Sequence, residues 1–344
     1  MRELRGRLRT LSGRVGVAGV VLSAAYAVIA GLIPDLVKQT IGEGVGRLLW
    51  VFLGAIVVYS AVRLFTMRPS GVGVVVDLLS SQEGRGQQRV DAAHSQAQRQ
   101  HDDHIRVNCA VSGSPEKRHE ALDSVHAQLQ EKLAERVDAA GTIPVALYCI
   151  ALLHDAFELG RRLKYDRHAR TTVMQAAEAP ERAEPFYEAV CLGGHLRSSL
   201  SKAERQRAEK LVRSYSRELD RDAERVALVI ALSSKTMVAS ALEAARTGES
   251  VEYAIGPGQR CRAALVVEIN SDLLPERRTA MELILRYIHF RWTEWLEEKG
   301  ETREQMAFLA GPVSIAVGLG HVFSRAPVHL VPHRPRFGAG QPNA

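Results

Sequence analysis

The residues with chemistry to offer lie in three short places. Ser80 and Ser81 follow an apolar run, and Ser233, Ser234 and Lys235 follow another. Gly311 and Pro312 open an apolar stretch that holds Ser314 in its first turn. Hydroxyl donors, a cation and the unpaired N–H groups of a helix start suit an anion. Serine is equally a favoured helix cap, so each also reads as local structure. Other chemistry is poorly represented. Cys109, Cys149, Cys191 and Cys261 are far apart and make no C-x-x-C pair, which argues against zinc or a disulfide scaffold. The histidines are scattered, and His101 and His104 read as solvated loop residues. No G-x-S-x-G, Walker loop or HExxH occurs. Asp77 and Glu268 fall in apolar runs with no visible partner.

The elements that must position these residues are strands and helices in alternation. Phe308–Val331 reads as a Gly-Pro turn, an apolar helix ending or packing closely at Leu319-Gly320, and a strand stopped by Pro332. That is a βα unit of a doubly wound sheet, where ligands sit near helix N-termini. Ile150–Val173 looks like a weaker copy, broken at Leu159-Gly160. Two further landmarks recur in order. Val74–Ser81 matches Leu228–Ser234, and Ile105–Val111 matches Cys261–Val267. Three ordered matches point to two fused α/β units. A single irregular α/β domain is the competing reading.

Length and charge fit this. The chain has 344 residues and a net charge of +6, room for two domains and an extra part. The extra part comes first. Val15–Ile33 carries no charge and is long enough to cross a bilayer, and Leu48–Val62, extended by Leu64 and Phe65, is a second such run. Arg2, Arg5, Arg7, Arg9 and Arg14 precede the first, and Arg63 and Arg68 follow the second. The positive-inside rule then puts both ends in the cytoplasm. Gly19, Ser23, Ala27 and Gly31 form a small-residue strip for close helix packing. A secretory signal ending near Ala25-Tyr26-Ala27, or two buried core helices, are the alternatives.

Along the rest, the spacing predicts a strand at Val72–Leu79 and a polar loop over Ser81–His104. A helix follows over Glu116–Val137, with a stripe of Leu122, Val125, Leu129 and Leu133. A further helix is predicted from Gly141-Thr142-Ile143-Pro144 through to Leu163, which leaves Ala151-Leu152 in mid-helix. Leu200–Asp222 reads as one amphipathic connecting helix. Pro275–Lys299 reads as a long helix whose Trp292 and Trp295 fill the core between the units.

Two fused halves, Ser-Ser after each opening strand, and a Gly-Pro-helix-Leu-Gly ending before a last strand resemble the SAVED domain. That domain is itself similar to two fused CARF-type units. The resemblance covers residues 70–335 and rests on order and pattern. It implies an α/β fold of two fused Rossmann-like (CARF-like) units, here preceded by two transmembrane α-helices. The expected divisions are a membrane hairpin at 1–68, a first half at 69–175, a connecting segment at 176–224, and a second half with tail at 225–344. SAVED domains sense cyclic oligonucleotides in bacterial anti-phage (CBASS-type) signalling. The resemblance thus implies a membrane effector in the bacterial inner membrane that binds a cyclic di- or trinucleotide, self-assembles and disturbs lipid. The missing motifs and the spread arginines leave no cofactor, no metal, no nucleic-acid polymer and no catalysis expected, although some CARF-like domains cleave their ligands. The expected cradle is Ser80, Ser81, Ser233, Ser234, Lys235, Gly311, Pro312 and Ser314. A membrane-tethered enzyme that degrades cyclic nucleotides is the alternative.

Overall fold

The structure, a computed structural model, describes residue 54 and residues 71–79, 84–111, 114–135, 143–163, 169–177, 184–271, 273–299 and 304–334. By its contacts the chain divides into Met1–Arg68 and Pro69–Ala344. Apart from Gly54, the predicted spans and the strip Gly19, Ser23, Ala27 and Gly31 lie outside the described residues, as do Ser80 and Ser81. Among the described residues, no helix is long and apolar enough to cross a membrane.

Residues 69–344 form an α/β fold with two mixed sheets. The first is built from β1 (Val72–Asp77), β2 (Asp103–Asn108), β3 (Ile143–Ile150), β4 (Ala169–Ala176) and β5 (Phe186–Cys191), in the order β2-β1-β3-β4-β5. The second holds β6 (Val212–Glu218), β7 (Arg225–Ala231), β8 (Cys261–Ile269), β9 (Gln305–Ala310) and β10 (Val328–Leu330), in the order β10-β9-β7-β8-β6. In each sheet four strands are parallel and follow the same order. The antiparallel strand lies on different edges: β5 beside β4, and β6 beside β8. The central strands, β1 and β7, are apolar and buried along nearly their whole length, as a parallel strand covered on both faces must be.

The helices are α1 (Gly84–Gln100), α2 (Pro115–Ala134), α3 (Leu153–Arg162), α4 (Lys202–Leu211), α5 (Met237–Thr247), α6 (Arg278–Lys299) and α7 (Val313–Val322). One continuous core joins the inner faces of both sheets with α2, α3, α6 and α7. Smaller cores lie outside, under α1 on the first sheet and under α5 on the second.

Several expectations are corrected. The loop expected over Ser81–His104 contains helix α1. Its buried stripe is Val90, Ala93 and Ala97, small residues that let the helix lie close over Gly73, so no large apolar period is visible. The helix expected from Ile143 is strand β3. Its apolar run continues without a break into the apolar face of α3, which hides the boundary. The connecting helix ends at Leu211, and β6 takes the rest. Ser214 and Ser216 of β6 turn their hydroxyls to Tyr287 and Trp295 of α6, at 3.1 and 3.2 Å. Trp292 and Trp295 are buried and stacked, as core residues. The match of Ile105 to Cys261 is four residues out of register. Ile105 pairs with Val74 and Leu265 with Leu228, so Leu265 is its counterpart.

Neither Leu-Gly pair breaks a helix. Both lie inside α3 and α7 and mark where these helices meet. A Cβ on Gly160 would stand 2.1 Å from the carbonyl oxygen of Val317, and one on Gly320 would stand 1.9 Å from that of Phe157. The contact is reciprocal: each glycine faces the residue three before the other. Three side chains from the first half add to this grip. Arg161 donates to Val328 O at 2.7 Å. Arg197 donates to the carbonyls of His321 and Val322 and to Ser324 Oγ, closing the C-terminal end of α7. Gln175 Oε1 accepts from the amide of Ser314 at 3.2 Å, at the opposite end.

Gly160→Ala or Gly320→Ala is expected to lower the unfolding free energy by about 3 kcal/mol, because backbone rather than a side-chain tip must move. Urea denaturation followed by circular dichroism checks this. His321, buried beneath Arg197, gives a second expectation. Burial, then the charge of Arg197, brings its pKa down to about 4. The folded state therefore favours neutral His321. Its stabilisation is complete above the ordinary value near 6.5 and is lost as pH falls towards 4. The loss approaches about 3 kcal/mol. Unfolding free energies measured from pH 7 to 4 should show a shallower decline in His321→Gln.

Candidate ligand cleft

Of the predicted site residues, Ser233, Ser234 and Lys235 follow the carboxyl end of β7, and Gly311, Pro312 and Ser314 follow that of β9. In the first half, β3 ends at Ile150 and α3 starts after Leu152. In the second, β9 ends at Ala310 and α7 starts after Pro312. Leu152 has φ −66° and ψ 151°, and Pro312 has φ −65° and ψ 150°. The backbone therefore turns from strand into helix in the same way twice. Ala151-Leu152 is therefore not in mid-helix as expected, and the two halves share one backbone path at this point. Pro312 is the cap residue itself, where its missing N–H costs nothing.

The side chains differ. Around the α3 start, Asp155 is buried and takes a hydrogen bond from the Arg118 guanidinium at 3.1 Å. His154 Nδ1 stands 3.5 Å from the other Asp155 oxygen. Arg118 and His154 are partly exposed, and Leu152 is 48% exposed beside them. Around the α7 start the neighbours are Gly311, Val313 and Ser314. Ser314 is fully buried. Its amide is held by Gln175, and its hydroxyl has no partner among the described residues.

Ser233, Ser234 and Lys235 lie between β7 and α5. Ser233 and Lys235 are exposed and Ser234 is half-buried. Ser234 Oγ meets Thr236 Oγ1 at 2.7 Å. The ladders correct the pairing of the serines. Leu78 N donates to Ile150 O at 2.9 Å, and Leu232 N to Ala310 O at 2.7 Å. By that register Ser80 matches Ser234, and Leu79 matches Ser233. Ser80 and Ser81 themselves lie outside the described residues.

The groups left without a partner by sequence are structural. Asp77 Oδ1 accepts from Leu79 N at 3.1 Å, closing the turn after β1. Glu268 pairs with Arg213 on β6. Burial, helped by Asp155 and Asp77, pushes the Cys149 thiol up to about 12, so it stays protonated. Burial does the same to Cys261. Among the described residues no cluster could hold a metal ion. His101 meets Tyr148 OH at 3.2 Å rather than water alone. Arg118, His154, Asp155 and Gln175 were not picked out from sequence. Only comparison of the two helix starts, position by position, would have raised them.

The arrangement offers helix-start amides, hydroxyls, an arginine and a lysine on two similar scaffolds. Groups of these kinds suit an anion. No protein-family model matches the sequence, and no curated protein does. Among solved structures, the chain is similar to the Cap4 SAVED/CARF-domain containing receptor of Acinetobacter baumannii. With the cyclic trinucleotide 2'3'3'-cAAA, the TM-score is 0.43 and identity 12%, over 75% of this chain and 48% of that one. The form with 3'3'3'-cAAA gives the same values. The structure of that receptor described without a nucleotide gives 0.37 and 11%, over 74% and 46%. This chain thus spans about half the length of the receptors it matches.

The Arg118–Asp155 pair generates a prediction. A double-mutant cycle of Arg118→Met and Asp155→Asn should show a coupling of about 1–2 kcal/mol in unfolding free energy. Asp155→Asn alone should cost about 2 kcal/mol, since it leaves a half-buried guanidinium without its carboxylate.

Proposed function

We propose that residues 69–344 are a receptor for a cyclic oligonucleotide and that the whole chain is a membrane-anchored effector of bacterial anti-phage signalling. The observation that carries this is the pair of helix starts, Leu152 and Pro312, with the same backbone at the carboxyl ends of two like sheets. A ring of repeated nucleotides presents phosphates in the same spirit, as like groups about a centre. Helix starts, the hydroxyls of Ser233 and Ser234, and Lys235 would contact the phosphates and sugars. Leu152 offers an apolar surface for a base.

In this reading the two halves are CARF-like, and the apolar runs at 15–33 and 48–65, the second with Arg63 near its end, form a hairpin in the inner membrane with both termini cytoplasmic. Ligand binding promotes head-to-tail contacts between receptors. The gathered hairpins, packed along Gly19, Ser23, Ala27 and Gly31, then disrupt the bilayer. A second reading is a membrane-tethered enzyme that opens the ring and ends the signal. The placing of His154 beside buried Asp155 favours it.

The test is calorimetry of residues 69–344 with cyclic di- and trinucleotides, with mass followed by light scattering and the ligand recovered afterwards. The receptor reading expects tight binding of one member, growth in mass and intact ligand. Lys235→Ala should weaken that binding about tenfold. Turnover of the ligand would favour the enzyme instead. A folded sample that binds none would remove the receptor reading.

A further inference from the structure

The α7 start is already occupied. Ser314 donates its amide to a side-chain carbonyl, Gln175 Oε1, which comes from β4 of the other half. The amide group of Gln175 is otherwise lightly held, with Nε2 to the carbonyl of Ala176 at 3.3 Å. Beside it, the Ser314 hydroxyl is 0% exposed and has no partner among the described residues. A buried hydroxyl without a partner costs about 1–3 kcal/mol. An oxygen that took the Ser314 amide and hydroxyl together would recover that cost, whereas Gln175 satisfies only the amide.

The other half is built differently. The ladders place Pro332 at the position matching Gln175. Proline has no amide side chain, and among the described residues nothing caps the α3 start in this way.

We propose that Gln175 guards the α7 subsite: its carbonyl stands in for a ligand oxygen and must leave when a ligand phosphate or sugar oxygen binds Ser314. This deepens the receptor reading and rests on it. The guard makes the cleft selective. An anion that reaches only the α3 start leaves Gln175 in place. A ring that spans both starts displaces it. Displacement also cuts a contact between the halves, so occupancy is felt across the α3–α7 crossing.

The experiment uses the full-length protein, with 3'3'3'-cAAA and inorganic pyrophosphate as probes. Gln175→Met keeps the length of the side chain and removes the acceptor. It should bind 3'3'3'-cAAA about tenfold more tightly than the unaltered protein. Gln175→Glu places a carboxylate on the helix start, raises the melting temperature without ligand, and should bind about tenfold more weakly. Pyrophosphate, too small to span both starts, should respond little to either change. Equal affinity for 3'3'3'-cAAA in all three proteins overturns the guard and leaves the receptor reading standing. Weaker binding by Gln175→Met also overturns it, since Gln175 would then hold the ligand itself. If all three melt cooperatively and none binds 3'3'3'-cAAA or any other cyclic di- or trinucleotide, the receptor reading falls and the guard falls with it.

Discussion

Where α3 crosses α7 there is no room for a side chain. The backbone of each helix rests on the other through Gly160 and Gly320, and the carbonyls of Phe157 and Val317 fill the space a Cβ would take. Close approach of this kind fixes both separation and rotation, because main-chain atoms cannot change rotamer to make way. The sheets follow their helices, and the helix starts follow the sheets. Arg161 and Arg197 then bind main chain near the C-terminal end of α7, and Gln175 binds the main chain of Ser314 at its other end.

The cleft that results is alike in backbone and unlike in chemistry. The first half surrounds its helix start with Arg118, His154 and Asp155, a charged group held by a buried carboxylate. The second half has a proline, a valine and a buried serine there. Burial of Asp155 makes its link to Arg118 more than a surface ion pair, since a carboxylate away from water needs its donors. At the α3 start the Arg118 charge is paired with Asp155, and at the α7 start the Ser314 amide is taken by Gln175.

Parts of this were legible in the sequence for plain reasons. β1 and β7 are covered on both faces, so they read as unbroken apolar runs, VGVVVD and RVALVIA. The Leu-Gly pairs stood out because a backbone contact tolerates no other residue. What was missed has causes of its own. In α1 the stripe is alanine, too weakly apolar to show as a period. β3 and α3 are joined by Ala151-Leu152, apolar residues with no turn signal between them. Leu200–Asp222 looked like one charged amphipathic helix, although β6 turns Ser214 and Ser216 towards α6. At the cleft, Ser233, Ser234 and Lys235 follow a strand and announce themselves. The contact between Arg118 and Asp155 spans 37 residues and that between Gln175 and Ser314 spans 139. No local pattern carries such pairs.

Pro332 standing where Gln175 stands in the other half has a consequence for how such a protein can change. Two identical chains around a true two-fold axis would carry every substitution twice, once on each side of the ligand. A glutamine at one helix start would be a glutamine at both. Joining the halves in one chain removes that coupling everywhere except at the crossing, where the two glycines still answer to each other. Inheritance can then write a different residue on each wall of the cleft while the frame between them stays fixed.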